Sequence, residues 1–412
     1  MSHDVRQVAD AVLYEGYVLY PYRACAQKNR SRWQFGVLMP PDYVALDPSE
    51  RSLTQAECVF DHSADPAVDV AVRFLQVQRR TTLTPTPATG QPPTPATWDE
   101  AVEQEVGLTV DGPGSLGEGC ARGFVIPGGE ELTTADGATV SRRRERLLGS
   151  VRVRATRLPG PWRAARLTVQ VSNESGTVPG PSTRDEALPS ALIAVHLIIT
   201  LSGGSFVSMT DPPEWARAEV ARCENIGCWP VLAGPPDSRQ VMLASPIILP
   251  DHPEIAPESP GDLYDGTEID EILTLRTLAL TDEEKEAARA TDPRSAALID
   301  RVDAMKAPTM ARLHGVIRDP GPSAPTSPET GAVTVAGHRV ARGSLVTLRP
   351  GVRRADAQDM FIDGRTAVVE AVLFDVDETA YLAVSLVDDP AADLRSAHGR
   401  FLYFAPDEVE PC

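Results

Sequence analysis

Cysteine is scarce in this chain: six in 412 residues, scattered rather than spaced as a framework. A disulfide-stapled fold is therefore not expected, and a reducing cytoplasm is the expected compartment. Long apolar runs are missing as well. The longest, ALIAVHLIITL from Ala191 to Leu201, is interrupted by His196 and falls well short of the about 20 residues that cross a bilayer, so it reads as a buried strand. The first residues, MSHDVRQVADAVLYEGY, lack a basic stretch followed by an apolar one, and no secretory leader is expected. Positive charge is in deficit. Lys and Arg total 39 against 58 Asp and Glu, a formal net charge of −19, which disfavours nucleic-acid backbones and anionic membrane surfaces and favours a basic partner. Hydrophobic content of 42% and charged content of 24% are ordinary for a folded protein.

What is present reads mostly as β-structure. AVLYEGYVLYPYR and RWQFGVLM, between Val12 and Tyr43, are expected as strands. SVRVRAT and ARLTVQVS, joined by Pro-Gly-Pro at 159–161, are expected as a meander, with Val151 and Val153 on a dry face and Arg152 and Arg154 on a wet one. LIAVHLIITL, SFVSM and QVMLASPIIL add further runs, so the middle of the chain is expected to be a largely antiparallel sheet. Helix is expected from Glu214 to about Arg222 and in a small unit from about Glu268 to Lys306. There Thr281 and Glu284 fit a capping box, and Asp292–Pro293 fits an N-cap with proline in the first helical position.

Two Pro-rich stretches, Thr84–Thr97 and Arg318–Gly331, read as linkers, the first equally as a long loop. They give a β-rich N-terminal segment, 1–83, that completes the next domain or stands beside it, a sheet domain ending in the helical unit, 98–310, and a C-terminal unit, 331–412. Four short β runs in the last unit suggest a small barrel of the Src-homology type. The fold class is α+β and β-rich.

Motifs with chemical meaning are few. VLFDVDET, ending at Thr379, resembles the first motif of haloacid-dehalogenase-type phosphatases, with Asp375 as nucleophile and Asp377 as general acid. Only 33 residues follow it, without a lysine, and a strand-like run comes next, so an Asp-rich hairpin turn is the expected reading. Cys223 and Cys228, in CENIGCWP, are close enough for a zinc pair, but no second pair exists. His62, between Asp61 and Asp65, could serve a metal or act as a base, and His252 repeats the pattern. Both read more simply as loop residues, and His196 as a hydrogen-bonded core histidine. The glycines of GSLGEG precede no strand–helix unit. The acidic stretch Asp251–Ile272 lacks the spacing of a calcium loop and reads as a solvated surface or a docking site for a basic partner. No cofactor is expected.

The N-terminus stands out. Tyr14, Tyr17, Tyr20, Tyr22, Trp33, Phe35 and Tyr43 crowd into 30 residues, though the chain has only 5 Trp, 8 Tyr and 9 Phe. Arg23, Lys28, Arg30 and Arg32 are interleaved with them. Such a cluster is either a core of half-buried rings or an interaction surface. On the second reading the contact residues are Tyr17, Tyr20, Tyr22, Arg23, Lys28, Arg32 and Trp33.

EGYVLYPYRACAQKNRSRWQFGVLMPPDY, GTEIDEILTLRTLALTDEEKEAARATDPR and GRFLYFAPDEVEP together resemble an uncharacterised family found in nickel–iron hydrogenase gene clusters of high-GC bacteria. The resemblance carries no active-site motif. It implies an accessory role in hydrogenase assembly or maturation, with a hydrogenase subunit or maturation factor as protein partner. The chain lacks the clustered Cys and His of a nickel donor, so a scaffold is expected before a metal carrier. Two alternatives stand beside it: a metal-dependent hydrolase built from loop Asp and His residues, and a structural component of a larger assembly.

Overall fold

The computed structural model describes residues 3–83, 96–135, 138–160, 163–176, 180, 183–256, 259, 261–266, 270–305, 332–349, 362–374, 380–387 and 402–411. They form two compact units, one within Met1–Gly315 and one within Val316–Cys412.

In the larger unit, helix α1 (His3–Tyr14) and a short α2 (Pro41–Val44) precede one 31-residue strand, β1 (Leu53–Leu83). There follow β2 (Ala96–Asp111), α3 (Pro113–Glu118), β3 (Cys120–Ile126), β4 (Gly129–Ala135), β5 (Ala138–Arg144), β6 (Leu147–Arg157) and β7 (Ala164–Asn173). After these come α4 (Arg184–Ala187), β8 (Ile193–Phe206), α5 (Arg217–Val220), β9 (Trp229–Leu232), β10 (Val241–Ser245) and the helices α6 (Asp270–Leu278), α7 (Asp282–Thr291) and α8 (Pro293–Asp303).

All the strand pairs among the described residues are antiparallel, and β1 takes part in four of them, with β2, β5, β7 and β8. One of its edges pairs first with β7 and then with β2. The other pairs first with β8 and then with β5. Strand order runs β3-β6-β7-β1-β8-β10-β9, with β2 and β5 branching from β1 and β4 pairing with β5. The pairing of β1 with β8 slips between His62 and Ala67 and again between Arg73 and Leu75, and such bulges bend a strand. The sheet curls around one core. Phe60, Val68, Val70, Val72 and Phe74 of β1 meet Val151 and Val153 of β6, Leu167 and Val169 of β7, and Leu197 and Ile199 of β8, with Leu116 of α3 joining them.

A second core lies on the opposite face. Val5, Val8 and Ala9 of α1 pack on Ile198 of β8, Val231 of β9 and Leu243 of β10. Leu75 and Val77 of β1 pack against the N-terminal aromatics and Leu273, Ala288, Leu298, Ile299 and Val302 of α6–α8. Both faces of β8 are thus covered, which is why its sequence is apolar without alternation. Strand β6 shows the expected alternation, with Val151 and Val153 buried and Arg152 and Arg154 exposed.

The N-terminal strands expected from Val12 onward are not there. Val12–Tyr14 complete α1, whose apolar residues Val5, Val8, Ala9, Val12 and Leu13 fall at helical spacing. Residues 15–40 hold no strand, only a single bridge between Leu38 and Leu192. Gly16, Tyr22, Trp33 and Gly36 take positive φ, which no regular strand accommodates. The run SFVSM is not separate either, since Phe206 ends β8. The stretch from Thr84 joins the two arms of one hairpin, because Thr82 pairs with Ala96, and both arms lie in the same unit. Residues 84–95 themselves lie outside the described ones, as do 306–331.

In the smaller unit, β11 (Ala332–Val335) and β12 (His338–Ala341) form a hairpin. A second sheet holds β13 (Leu345–Leu348), β14 (Thr366–Phe374), β15 (Ala380–Leu386), β16 (Leu402–Phe404) and β17 (Val409–Pro411) in the order β16-β15-β14-β13-β17. As described, this sheet is open, with β16 and β17 at its ends, so the expected barrel closure is not formed among these residues. No helix among the described residues is long and apolar enough to cross a membrane.

Candidate functional site

The aromatic–basic segment lies between the sheet and the helical layer. Tyr17, Tyr22, Trp33 and Arg32 are buried, Tyr22 completely. The Arg32 guanidinium sits 4.2 Å from the Trp33 ring centre and 3.6 Å from that of Trp98 on β2. It donates to the backbone oxygens of Tyr17 at 2.9 Å and Asp99 at 2.6 Å. Burial lowers its pKa to about 10, so it stays charged at neutral pH. The Tyr17 hydroxyl donates to Asp292 Oδ2 at 2.8 Å, and Trp98 Nε1 approaches the same oxygen at 3.3 Å. Asp292 Oδ1 in turn accepts from the Arg294 amide and caps α8. The Tyr22 hydroxyl donates to the Leu263 carbonyl at 3.1 Å. Burial drives the pKa values of Tyr17 and Tyr22 upward, and both stay neutral.

Tyr20, Arg23 and Lys28 are half-exposed, yet each also binds inward. The Tyr20 amide reaches Asp265 Oδ2 at 3.2 Å, Lys28 Nζ meets the same oxygen at 2.5 Å, and Arg23 pairs with Glu284 of α7 at 3.2 Å. The segment therefore clasps α6–α8 to the sheet. Of the seven residues named as contacts, Tyr17, Tyr22, Arg32 and Trp33 present no open surface.

The metal candidates are dispersed. Cys223, in the turn after α5, donates to the Glu219 carbonyl at 3.5 Å, and buried Cys228 donates to that of Gln55 at 3.3 Å. Burial raises both thiols to about 11, so they are protonated at neutral pH. His62 lies at the β1 bulge, its ring 5.9 Å from that of Phe60. His252 Nδ1 is 3.0 Å from the Gly234 carbonyl. His196 is fully buried, with Nδ1 2.9 Å from the Ala194 carbonyl. Among the described residues no three His, Cys, Asp or Glu side chains gather in a way that could hold a metal. The glycines of GSLGEG lie in and after α3, a single short helix. Asp375 and Asp377 lie outside the described residues. The strands on either side of them pair directly, Phe374 opposite Ala380, where the phosphatase motif would need a loop and a helix.

One open surface combines charge with apolar area. A pocket of about 220 Å³ lies between the end of α1 and the segment before α6, and five of its walls are carboxylates: Glu15, Glu254, Asp262, Asp265 and Asp270. Burial raises the pKa of Glu15, and the charges of Asp265, Asp262 and Asp270 raise it further, against a hydrogen bond from the Gly266 amide. Asp270 is raised by burial and by Asp262. From Asp270 runs α6, which buries Leu273, Thr274 and Thr277 and leaves Ile272, Leu275 and Leu278 exposed at 40%, 49% and 38%. Ile255, 42% exposed, lines the same pocket. The acidic stretch was legible as a docking candidate in the sequence. The apolar stripe was not, because EIDEILTLRTLAL holds more leucine and isoleucine than one buried face needs, and only the packing shows which are left over. No protein-family model matches this chain, and no curated protein matches it.

Proposed function

We propose that this protein is a non-catalytic accessory protein that docks a basic, amphipathic segment of a protein partner. The observation that carries the reading is the meeting of the acidic pocket with the exposed Ile272–Leu275–Leu278 stripe of α6. Apolar side chains of the partner would cover the stripe, and its Lys or Arg would relieve the repulsion among Glu15, Asp262 and Asp270. A net charge of −19 would speed the encounter. In the setting that the resemblance implies, the partner is a subunit or maturation factor of a nickel–iron hydrogenase, met in the cytoplasm, and the C-terminal strands close into a small Src-homology-like barrel as a second docking module.

The test is capture of partners from native lysate by the full-length protein, read by mass spectrometry and followed by affinity measurement with the purified partner. A basic partner should be recovered stoichiometrically at low salt. Its affinity should fall by roughly tenfold or more in Leu275→Glu, with the melting temperature unchanged. Equal affinity for wild type and Leu275→Glu would remove α6 from the interface, and a partner with no basic segment would end the proposal.

A further inference from the structure

A second concave surface has the opposite character. A cleft of about 540 Å³ lies where the late part of β1, the β5–β6 connection and the turn after α4 converge. Its polar lining is Arg79, Arg143, Arg146, Ser175 and Ser190, with Glu145 and Glu186. The β1–β5 register creates this wall. Arg79 stands opposite Arg143, and Arg80 opposite Arg142, so like charges face each other across the ladder, an arrangement that costs stability unless neutralised.

On one side a single carboxylate, Glu100, 8% exposed, sits between the two guanidinium groups and accepts from Gln78 at 3.0 Å, Arg80 at 2.9 Å and Arg142 at 3.1 Å. On the cleft side each arginine of the pair has its own carboxylate but keeps donors unused. Arg79 gives Nε and Nη2 to Asp99 at 2.8 and 2.9 Å and keeps Nη1. Arg143 gives Nη2 to Glu145 at 2.8 Å and keeps the rest of its fork. Arg146 is exposed and has no hydrogen-bond or ion-pair partner among the described residues. Two carboxylates share the lining with these three arginines: Glu145 pairs with Arg143, and Glu186 accepts from the Thr183 amide at 3.2 Å. Among the described residues the cleft thus holds more guanidinium N–H donors than its own carboxylates are seen to receive.

We propose that this cleft binds a small polyanion, a ligand bearing phosphate or carboxylate groups that accept from Arg146, Arg143 and the free Nη1 of Arg79. Guanidinium forks match both group types, and the volume exceeds what a single phosphate ion fills. The site is independent of the α6 surface and of any protein partner.

The test is isothermal titration of the full chain at low ionic strength with pyrophosphate and, separately, with citrate. One of them should bind with one-to-one stoichiometry, and preference between them identifies a phosphate or a carboxylate ligand. Arg146→Ala should weaken binding roughly tenfold, and Arg143→Ala with Arg146→Ala should weaken it further. Arg146→Lys should fall between, because it keeps the charge but not the fork. Arg152→Ala, exposed on β6, should bind as wild type. Melting temperatures of all variants should match, since these side chains are solvent-facing. Absence of binding by both probes, or binding that survives the double substitution, would overturn the proposal.

Discussion

Asp292 shows how much one side chain can organise. It caps α8 with one oxygen and receives Tyr17 and Trp98 with the other. Asp292→Ala should cost about 2–3 kcal/mol, one lost cap plus two orphaned buried donors, read as a lower urea midpoint. Tyr17→Phe alone should cost about 1 kcal/mol, and the two changes should be strongly non-additive. His196 sets a pH dependence. Burial lowers its pKa from 6.5 to about 4, opposed by the Ala194 carbonyl and aided by Arg73, which stands opposite it in the ladder. The unfolded chain therefore takes up a proton that the folded chain refuses. The contribution of this group is full above about pH 6.5 and declines as pH falls toward about 4, by at most ~1.4 kcal/mol per pH unit. Comparing urea midpoints of wild type and His196→Gln across that range isolates it, because Glu15 and Asp270, shifted the other way, cancel in the difference. A difference that does not vary with pH would show that His196 is not the group responsible.

At the scale of elements, the bend in β1 depends on a partner without a side chain. Gly204 of β8 pairs with His62, and a Cβ there would lie 2.3 Å from the Asp61 carbonyl oxygen. Gly204→Ala should therefore cost about 2 kcal/mol or more, seen as a lowered melting temperature with the α6 surface unchanged in sequence. Local patterns were legible where neighbours agree with them. Strands β6, β7, β8, β10, β14 and β15 could be read from alternation or apolar runs, and α7 from its capping box, which forms as Thr281 and Glu284 indicated. The N-terminal segment misled because Tyr, Val and Leu favour strands in general. Here the rings pack sideways into a helical layer that lies some 250 residues further along the chain, as the Tyr17–Asp292 bond illustrates. The same long-range burial turned apparent contact residues such as Arg32 and Trp33 into interior ones. The arginine cleft was invisible for a related reason, since Arg79 and Arg143 meet only through strand pairing.

At the scale of the molecule, the two units have separate cores, that of the smaller one being Val346, Leu348, Val369, Leu382, Val384 and Phe404 with their neighbours. A fragment ending at Met305 should therefore unfold cooperatively at the same urea midpoint as the larger unit does in the full chain, by circular dichroism. A fragment that fails to fold, or a clearly lowered midpoint, would mean that the smaller unit supports it. The two proposed surfaces differ in sign: both should bind more weakly as salt rises, but the acidic pocket beside α6 should take basic ligands and the arginine cleft anionic ones, so competition by ligands of each charge tells them apart.

The single long strand also has a consequence during synthesis. When β1 leaves the ribosome only β2 follows closely, while β5, which covers the last six residues of the other edge, arrives about 55 residues later, and β7 and β8, which cover the rest, about 80 to 110 residues after the end of β1. For several seconds of translation, at typical rates, the nascent chain carries Val68, Val70, Val72 and Phe74 on an unfinished hairpin with one edge open. Nascent chains halted before β7 should bind holding chaperones strongly, and chains halted beyond β8 should begin to release them.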